Sequence, residues 1–161
     1  IPMIESGDQA RDMARAMLYP PHGIRGAGAA LARASRFSDI ADYVPTANDQ
    51  MCLLVQVETV KGIEALDEIL AVDGVHGVFI GPSDLAADMG YLGNSNAPEV
   101  QEAIKTALAK IANSDKAAGI LAVDQSVART YRDWGAQFLA VGIDVVMLAK
   151  TARATMAGWR D

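Results

Sequence analysis

The sequence predicts an α/β fold in which parallel β-strands alternate with α-helices. Short, nearly continuous apolar runs recur along the chain, as expected of strands covered on both faces. Between them, apolar residues recur three or four positions apart, which is the spacing of one helix face. Strands are predicted in "IPMI", "MCLLVQVE", "GVHGVFIGP", "AAGILAV" and "QFLAVGIDVVML". Repeated βαβ units form an open doubly wound sheet or a closed (β/α)₈ barrel, and the pattern leaves both open.

The segments between the strands predict helices with recognisable ends. In "ESGDQARDMARAML", Ser6 and Gln9 have the spacing of a capping box, and Pro20 and Pro21 end the helix. A glycine-rich, irregular region follows as far as Gln50. The later helices are predicted in "TVKGIEALDEILAV", "APEVQEAIKTALAKIANSD" with Pro98 near its start, "QSVARTYRDWGA" and "AKTARATMAGW".

Composition and charge narrow the class of protein. Of the 161 residues, 51% are apolar and 21% charged, which is typical of a globular domain with a large core. The formal charge of −6 argues against nucleic acid and anionic membranes as partners. No apolar run reaches the ~20 residues of a membrane helix. Cys52, the single cysteine, has no partner for an internal disulfide, which favours a reducing cytoplasm.

The start of the chain predicts that it begins within a domain. It opens directly in a strand-like run, "IPMI", without an initiator methionine or a preceding turn. A (β/α)₈ barrel typically needs ~250 residues, whereas this chain has room for four full units and the leading strand. We therefore expect a further segment upstream.

Two carboxylates stand where predicted strands give way to helices. Glu58 ends "LLVQVE", and Asp84 follows "GVFIGP" at the equivalent place in the next unit. Gln56 faces the same way as Glu58, because side chains alternate along a strand. Two acids without a nearby His or Cys cluster form a hard ligand set, suited to Mg²⁺ or Mn²⁺. The alternative is that Glu58 caps the following helix and Asp84 caps "LAADMGY"; the recurrence in successive units favours a metal site.

The segment "IGPSD" predicts an anion site beside that metal. Gly81 and Pro82 bend the backbone at the strand end, so that the amides of Ser83 and Asp84 point out of a helix N-terminus. Such amides bind carboxylates or phosphates. A metal next to a carboxylate site suits a 2-oxo acid.

Four segments together resemble the HpcH/HpaI aldolase family: residues 1–35, "ANDQMCLLVQVET", "GVHGVFIGPSDLAADMGY" and "FLAVGIDVVMLAK". The resemblance covers essentially the whole chain, and "QVET" with "FIGPSDLAADMGY" is a specific pair. It implies a (β/α)₈ TIM barrel, present here from about the fourth strand to the C-terminus. It also implies a metal-dependent (class II) aldolase that cleaves 4-hydroxy-2-oxo acids to pyruvate and an aldehyde.

The resemblance also assigns residues. It implies that Glu58 and Asp84 hold the divalent ion (Mg²⁺, Mn²⁺ or Co²⁺), with Gln56 beside it. The amides around Ser83, with Gly81 and Pro82, would receive the pyruvate carboxylate, and Leu121 would line the same pocket. The small-molecule partner is thus a 2-oxo acid, and the family's oligomers imply a homo-oligomer as well as the missing N-terminal part of the barrel.

Other functional residues of the family have no counterpart here. A histidine implicated in acid/base work and an arginine that contacts the keto oxygen belong to the first three strands. His22 and His76 are not expected to replace that histidine. Arg25, in "GIRGAGAALARAS", is a candidate catalytic residue that could steer an anionic substrate; alternatively, the glycines of this loop permit tight packing. Ala29 stands where a serine is expected in near relatives.

Two alternatives remain open. A citryl- or malyl-CoA lyase-like enzyme would share the acid pair but need a CoA-binding surface, for which no basic patch is visible. An inactive fragment or assembly subunit would follow from the missing strands. A Schiff-base mechanism is disfavoured because the lysines lie outside the expected lumen: Lys61, Lys105, Lys110, Lys116 and Lys150. The last helix, with Met156 and Trp159, is predicted to pack on another subunit or on its own barrel.

Overall fold

A computed structural model describes residues 1–159, and its centre is a sheet of four parallel strands. These are β1 (Leu54–Val57), β2 (Gly77–Ile80), β3 (Ala117–Leu121) and β4 (Phe138–Ala140). They lie in the order β1-β2-β3-β4, so each strand pairs with its neighbour in sequence. A doubly wound sheet reverses its strand order at a switch point, whereas a barrel does not. The sequential order therefore confirms the predicted arc of a (β/α)₈ barrel.

Helices connect the strands and cover one face of the sheet. Their bounds are α1 (Gly7–Met17), α2 (Tyr43–Thr46), α3 (Val60–Glu64), α4 (Leu66–Leu70), α5 (Pro82–Asp88), α6 (Pro98–Ala112), α7 (Gln125–Asp133) and α8 (Asp144–Ala157). Short 3₁₀ turns occupy Ala29–Leu31, Arg33–Ser35 and Ala47–Gln50. The capping box is present in part: the Ser6 hydroxyl accepts from Gln9 N–H, while the Gln9 side chain accepts from Glu5 N–H.

The core lies between the helices and one face of the sheet. Alternate strand residues point toward the helices and are fully buried: Val55, Val57, Val78, Ile80, Ala118 and Ile120. The apolar face of α6 packs against them with Val100, Ile104, Leu108 and Ile111, as its helical spacing predicts. This packing fixes the register of the strands and hence which residues reach their carboxyl ends.

The opposite face of the sheet, which would line a barrel lumen, is only partly covered. The rings of Phe79 and Phe138 meet edge to face across Gly119, with centroids 6.0 Å apart. Gly119 makes this contact possible, because a Cβ there would lie 2.8 Å from the Phe79 ring. Phe138 is nevertheless 53% exposed. The lumen face therefore presents apolar surface that the described residues leave open.

The structure corrects three predicted boundaries. The helix expected over residues 59–72 is broken at Ala65 into α3 and α4. The strand expected in "QFLAVGIDVVML" ends at Ala140, and residues from Asp144 onward are helical because Gly142 interrupts the run and Asp144 bonds the Val145 amide. "IPMI" is not a regular strand, although Ile1 and Ile4 hydrogen-bond to β1.

The last helix, α8, buries none of its residues against the described part of the chain. Val145, Leu148 and Met156 are all exposed, as is Trp159 just beyond it. The predicted packing on its own barrel is therefore absent among residues 1–159. No helix in this range is long and apolar enough to cross a membrane.

His76 stabilises the amino ends of the strands, on the rim opposite Glu58. Its Nδ1 accepts from the Leu53 backbone N–H at 3.0 Å, in a partly buried hydrogen bond. We expect His76→Leu to reduce the free energy of unfolding by about 1 kcal/mol, because the Leu53 N–H loses its partner. Urea unfolding would measure this, and His22→Leu, at an exposed position, is the control. Equal stability of the two variants would contradict the prediction.

Candidate active site

Glu58 is a buried carboxylate held by two neutral donors. It follows β1 directly and is 3% exposed. Its Oε2 accepts from Gln56 Nε2 at 2.6 Å, and its Oε1 accepts from the Met3 backbone N–H at 3.0 Å. It forms no salt bridge with any residue in the range 1–159. Since burying an uncompensated charge is costly, this carboxylate is suited to a cationic ligand.

Gly81 provides the space that Glu58 and Gln56 occupy. The Gly81 amide donates to Val57 O at 3.1 Å, which places it beside Glu58 on the neighbouring strand end. A Cβ at this position would lie 2.8 Å from Glu58 Cβ, 2.9 Å from Gln56 Nε2 and closer still to Glu58 Oε2. Any side chain at position 81 would displace the carboxylate.

Asp84 lies in the first turn of α5, three residues after Gly81. Gly81 is the N-cap of α5, and the cap of α3 is Thr59, whose hydroxyl accepts from Gly62 N–H. The alternative that Glu58 and Asp84 serve as helix caps is therefore wrong. The Asp84 side chain is exposed and accepts no hydrogen bond from residues 1–159. Neither acid is a helix cap, but the prediction that they occupy equivalent places is wrong. Val57 pairs with Ile80, so Gly81 is level with Glu58, whereas Asp84 lies three residues further on, in the first turn of α5.

The donor set fits a hard divalent ion with an incomplete protein shell. Within the described residues, no group of three or more His, Cys, Asp or Glu side chains could hold a metal. Two carboxylates alone leave most positions around Mg²⁺ or Mn²⁺ to water or substrate oxygens. The buried Glu58 carboxylate, which has neutral donors and no ion-pair partner within residues 1–159, is consistent with such a site.

A cleft of about 300 Å³ adjoins the start of α5. Pro82, Ser83 and Leu121, three of the residues predicted to bind substrate, line it together with Asn96, Asp124 and Tyr131; Gln56 and Gly81 do not, and substrate binding stays a prediction. Glu58, Gln56 and Asp84 do not line this cleft. The structure therefore brings Gln56 and Glu58 together beside Gly81, and Pro82, Ser83 and Leu121 together in the cleft.

Two polar side chains that line the cleft, those of Asp124 and Tyr131, form hydrogen bonds within its walls. Asp124 caps α7, and its pKa is lowered by the Ser126 hydroxyl and the amides of Val127 and Ser126. Burial raises the pKa of Tyr131, whose hydroxyl accepts from Gln101 Nε2 at 2.9 Å and so partly offsets that shift. Both groups therefore fix the cleft geometry.

The structure does not bring Arg25 to the acids. Its guanidinium lies 4.6 Å from the Tyr19 ring centroid, donates to the Tyr43 hydroxyl at 2.8 Å and contacts Met51 Sδ at 3.5 Å. Met51 precedes β1, so this cluster lies toward the amino end of that strand, whereas Glu58 follows its carboxyl end. Steering of an anionic substrate by Arg25 stays a prediction.

The alternative interpretation of the glycine-rich loop, that its glycines permit tight packing, applies to only some of these glycines. A Cβ at Gly26 or Gly28 would meet no atom within 4 Å, whereas one at Gly23 would clash with the backbone of α1 and Leu18. Ala29 is buried and its carbonyl accepts from the Ser35 hydroxyl. Packing therefore explains Gly23 but not Gly26 and Gly28.

Three of the five lysines form ion pairs with acidic side chains outside the cleft. Lys61 pairs with Glu5, Lys110 with Asp67, and Lys116 with Asp115. None of the five lysines lines the cleft beside Ser83. That no lysine forms a Schiff base stays a prediction.

Two contributors to the site were not predicted from the sequence. One is the Met3 amide, which depends on a local backbone conformation that "IPMI" does not signal. The other is Asp88, whose Oδ2 accepts from Val60 N–H at 2.7 Å. Asp88 closes α5, which carries Asp84, while Val60 opens α3, which follows Glu58. This hydrogen bond ties the two acid-bearing segments together.

We expect Asp88→Ala to lower the free energy of unfolding by about 1 kcal/mol, because the first-turn amide of α3 loses its acceptor. Thermal or urea unfolding would measure this. Asp73→Ala is the control, since Asp73 is an exposed acid without a hydrogen-bond or ion-pair partner within residues 1–159. A loss no greater than that of the control would contradict the role of Asp88.

Comparison with known proteins shows the family of the chain. The model of the HpcH/HpaI aldolase/citrate lyase family matches residues 1–151. The chain belongs to the HpcH/HpaI family. Its relatives include the hydroxypyruvate/pyruvate aldolases of Roseovarius nubinhibens and Agrobacterium fabrum, 71% and 56% identical over 160 residues. The 4-hydroxy-2-oxo-heptane-1,7-dioate aldolase of Escherichia coli is 54% identical over 157 residues.

These relatives are longer than the chain. It is covered to 98–99% in each of these matches, but spans only 60–62% of the relatives' lengths. Among solved structures, an HpcH/HpaI aldolase/citrate lyase family protein from Burkholderia cenocepacia matches with a TM-score of 0.90 and 36% identity, over 100% of this chain and 64% of that one. The HpcH/HpaI aldolase of Desulfitobacterium hafniense matches with a TM-score of 0.79 and 32% identity, over 98% and 61%.

Proposed function

We propose that this chain forms part of a metal-dependent aldolase that cleaves 4-hydroxy-2-oxo acids to pyruvate and an aldehyde. The observation that carries the proposal is the Glu58 carboxylate, which is buried at the carboxyl end of β1 with neutral donors on both oxygens. Its relatives' names indicate pyruvate or hydroxypyruvate chemistry, which agrees with a 2-oxo acid at this rim.

In this proposal Glu58 and Asp84 hold the divalent cation. When bound, the cation supplies Lewis-acid polarisation of the keto group of the 2-oxo acid. The carboxylate of the substrate is received by the free first-turn amides of α5, at Ser83 and Asp84, since Leu85 N–H donates the first bond of that helix. Gln56 keeps Glu58 oriented through its amide N–H.

The remaining substrate extends toward the cleft beyond Ser83 in this proposal. Leu121 supplies an apolar wall there, and Tyr131 and Asp124 shape its far side. The base that removes the 4-hydroxyl proton and the arginine for the keto oxygen are expected from the segment that precedes residue 1. In this proposal, that segment and the cleft together determine which aldehyde the enzyme accepts.

The open lumen face supports the proposal that residues 1–161 work as the C-terminal portion of a single barrel. Phe138 is half exposed there, and β4 pairs only with β3 among the described strands. Unpaired parallel edges invite further strand pairing. An assembly subunit without activity of its own is the second candidate, favoured by this same open face.

The deciding experiment is pyruvate release from a 4-hydroxy-2-oxo acid. We define the extended protein as residues 1–161 joined to the amino-terminal residues of the Roseovarius nubinhibens relative. We expect release that is abolished by EDTA and restored by Mn²⁺, Mg²⁺ or Co²⁺, with far less from the 161-residue chain alone. Metal-independent release would contradict the proposal, and cleavage of a malyl- or citryl-CoA thioester instead would favour the lyase alternative.

A further inference from the structure

We propose that the backbone amide of Met3 is a positioning group for the Glu58 carboxylate, and that the left-handed conformation of Met3 exists to aim it. This inference rests on the proposed function, because it assigns a partner to the carboxylate that would hold the ion. The Met3 N–H donates to Glu58 Oε1 at 3.0 Å, across 55 residues of sequence. Glu58 has one other hydrogen-bond donor in the described chain, Gln56.

The first residues pair with β1 as a parallel strand would, until Met3 interrupts the ladder. Ile1 N donates to Leu54 O at 2.8 Å, and Gln56 N donates to Ile1 O at 2.7 Å. A regular parallel ladder would next join the residue two positions on, Met3, to Gln56 O. Instead Ile4 N donates to Gln56 O at 3.0 Å. One residue is therefore inserted, as in a β-bulge.

This insertion releases the Met3 amide from the ladder and turns it toward Glu58. Met3 has φ of 57°, in the left-handed region that non-glycine residues seldom adopt. Its side chain is 52% exposed, so packing of the methionine does not explain the conformation. Strained backbone of this kind persists where the surroundings require it, often at functional sites. The hydrogen bond to a buried carboxylate is such a requirement.

Two hydrogen bonds then orient Glu58. The Met3 amide donates to Oε1 and the Gln56 side-chain amide donates to Oε2, and the absence of a side chain at Gly81 leaves room for the carboxylate. Each carboxylate oxygen has two lone pairs, so one hydrogen bond on each still leaves a lone pair for a cation. Groups that orient a metal ligand typically change metal affinity by 10–100-fold when removed. Met3 therefore acts through its backbone, and its side chain is replaceable.

The test compares residues at position 3 by their tolerance of positive φ. Met3→Gly and Met3→Asn keep the conformation, because both residues adopt it readily. Met3→Ile disfavours it, because a β-branched residue is strained at positive φ. In the extended protein, we expect Met3→Ile to raise the Kd for Mn²⁺ about tenfold, while Met3→Gly and Met3→Asn leave it within about twofold of the parent.

A second readout requires no metal. Amide hydrogen exchange by NMR should show the position-3 amide protected in the metal-free parent, Met3→Gly and Met3→Asn proteins, and unprotected in Met3→Ile and in Glu58→Ala. An unchanged Kd in Met3→Ile, or an equal loss in Met3→Gly, would overturn the inference while leaving the proposed function intact. Absence of Mn²⁺ binding that depends on Glu58 would overturn both.

Discussion

Gly81→Ala should abolish most metal-dependent activity of the extended protein, although it adds only a methyl group. The new Cβ would lie 2.8 Å from Glu58 Cβ and 2.9 Å from Gln56 Nε2, so Glu58 and Gln56 must both move. Gly81 has φ of −96°, which alanine tolerates, so the effect is steric rather than conformational. Displacement of a reacting group by about 1 Å costs on the order of 10²-fold in rate, which is the loss in kcat/KM that we expect.

The same substitution should cost about 1–3 kcal/mol of stability, the usual penalty of overpacking a buried site. Pyruvate release, Mn²⁺ titration and urea unfolding would be measured together. Gly26→Ala is the matched control, because a Cβ there meets nothing within 4 Å. If Gly81→Ala bound Mn²⁺ and released pyruvate as well as Gly26→Ala, the crowded geometry around Glu58 would have no functional meaning.

The position of the acids could be predicted from the sequence because it depends on two simple rules. Buried parallel strands read as continuous apolar runs, and their carboxyl ends meet at one rim. Glu58 and Asp84 each follow such a run, so their placement on adjacent strand ends needed no knowledge of distant contacts. The start of α6 at Pro98 followed in the same way from a local signal.

Features that depend on tertiary context were not predictable. "DVVML" has the apolar content of a strand, yet it lies in α8, because the pairing of β4 with β3, its one partner among the described strands, ends at Ala140. The break at Ala65 lies within a continuous helical pattern that runs through Ile63 and Leu66, and no glycine or proline marks it. The aim of the Met3 amide depends on a carboxylate 55 residues away. Local sequence patterns predict helices and strands, whereas these features depend on the tertiary contacts that the helices and strands make.

Glu58→Gln and Asp84→Asn should each raise the Kd for Mn²⁺ by at least on the order of 100-fold in the extended protein, since loss of a ligand should exceed loss of a group that merely orients one. Both replacements keep the side-chain size and remove the charge. Glu58→Gln removes a buried charge but also replaces one of two hydrogen-bond acceptors by a donor, so we expect the two effects to offset each other and the free energy of unfolding of the metal-free variant to change by no more than about 1 kcal/mol. Loss of metal binding with retained stability would separate a ligand from a structural acid.

The double variant decides whether the two acids share one ion. If they do, the first substitution already abolishes binding of the ion, and the second substitution has little further effect. The combined loss in kcat/KM should then be much smaller than the product of the single losses. Independent sites would give multiplicative losses. Asp73→Asn, at an exposed acid, controls for the change in net charge, and combining it with Glu58→Gln should give a simple product. Multiplicative losses for Glu58→Gln with Asp84→Asn would contradict a shared cation, because two ligands of one ion must be coupled.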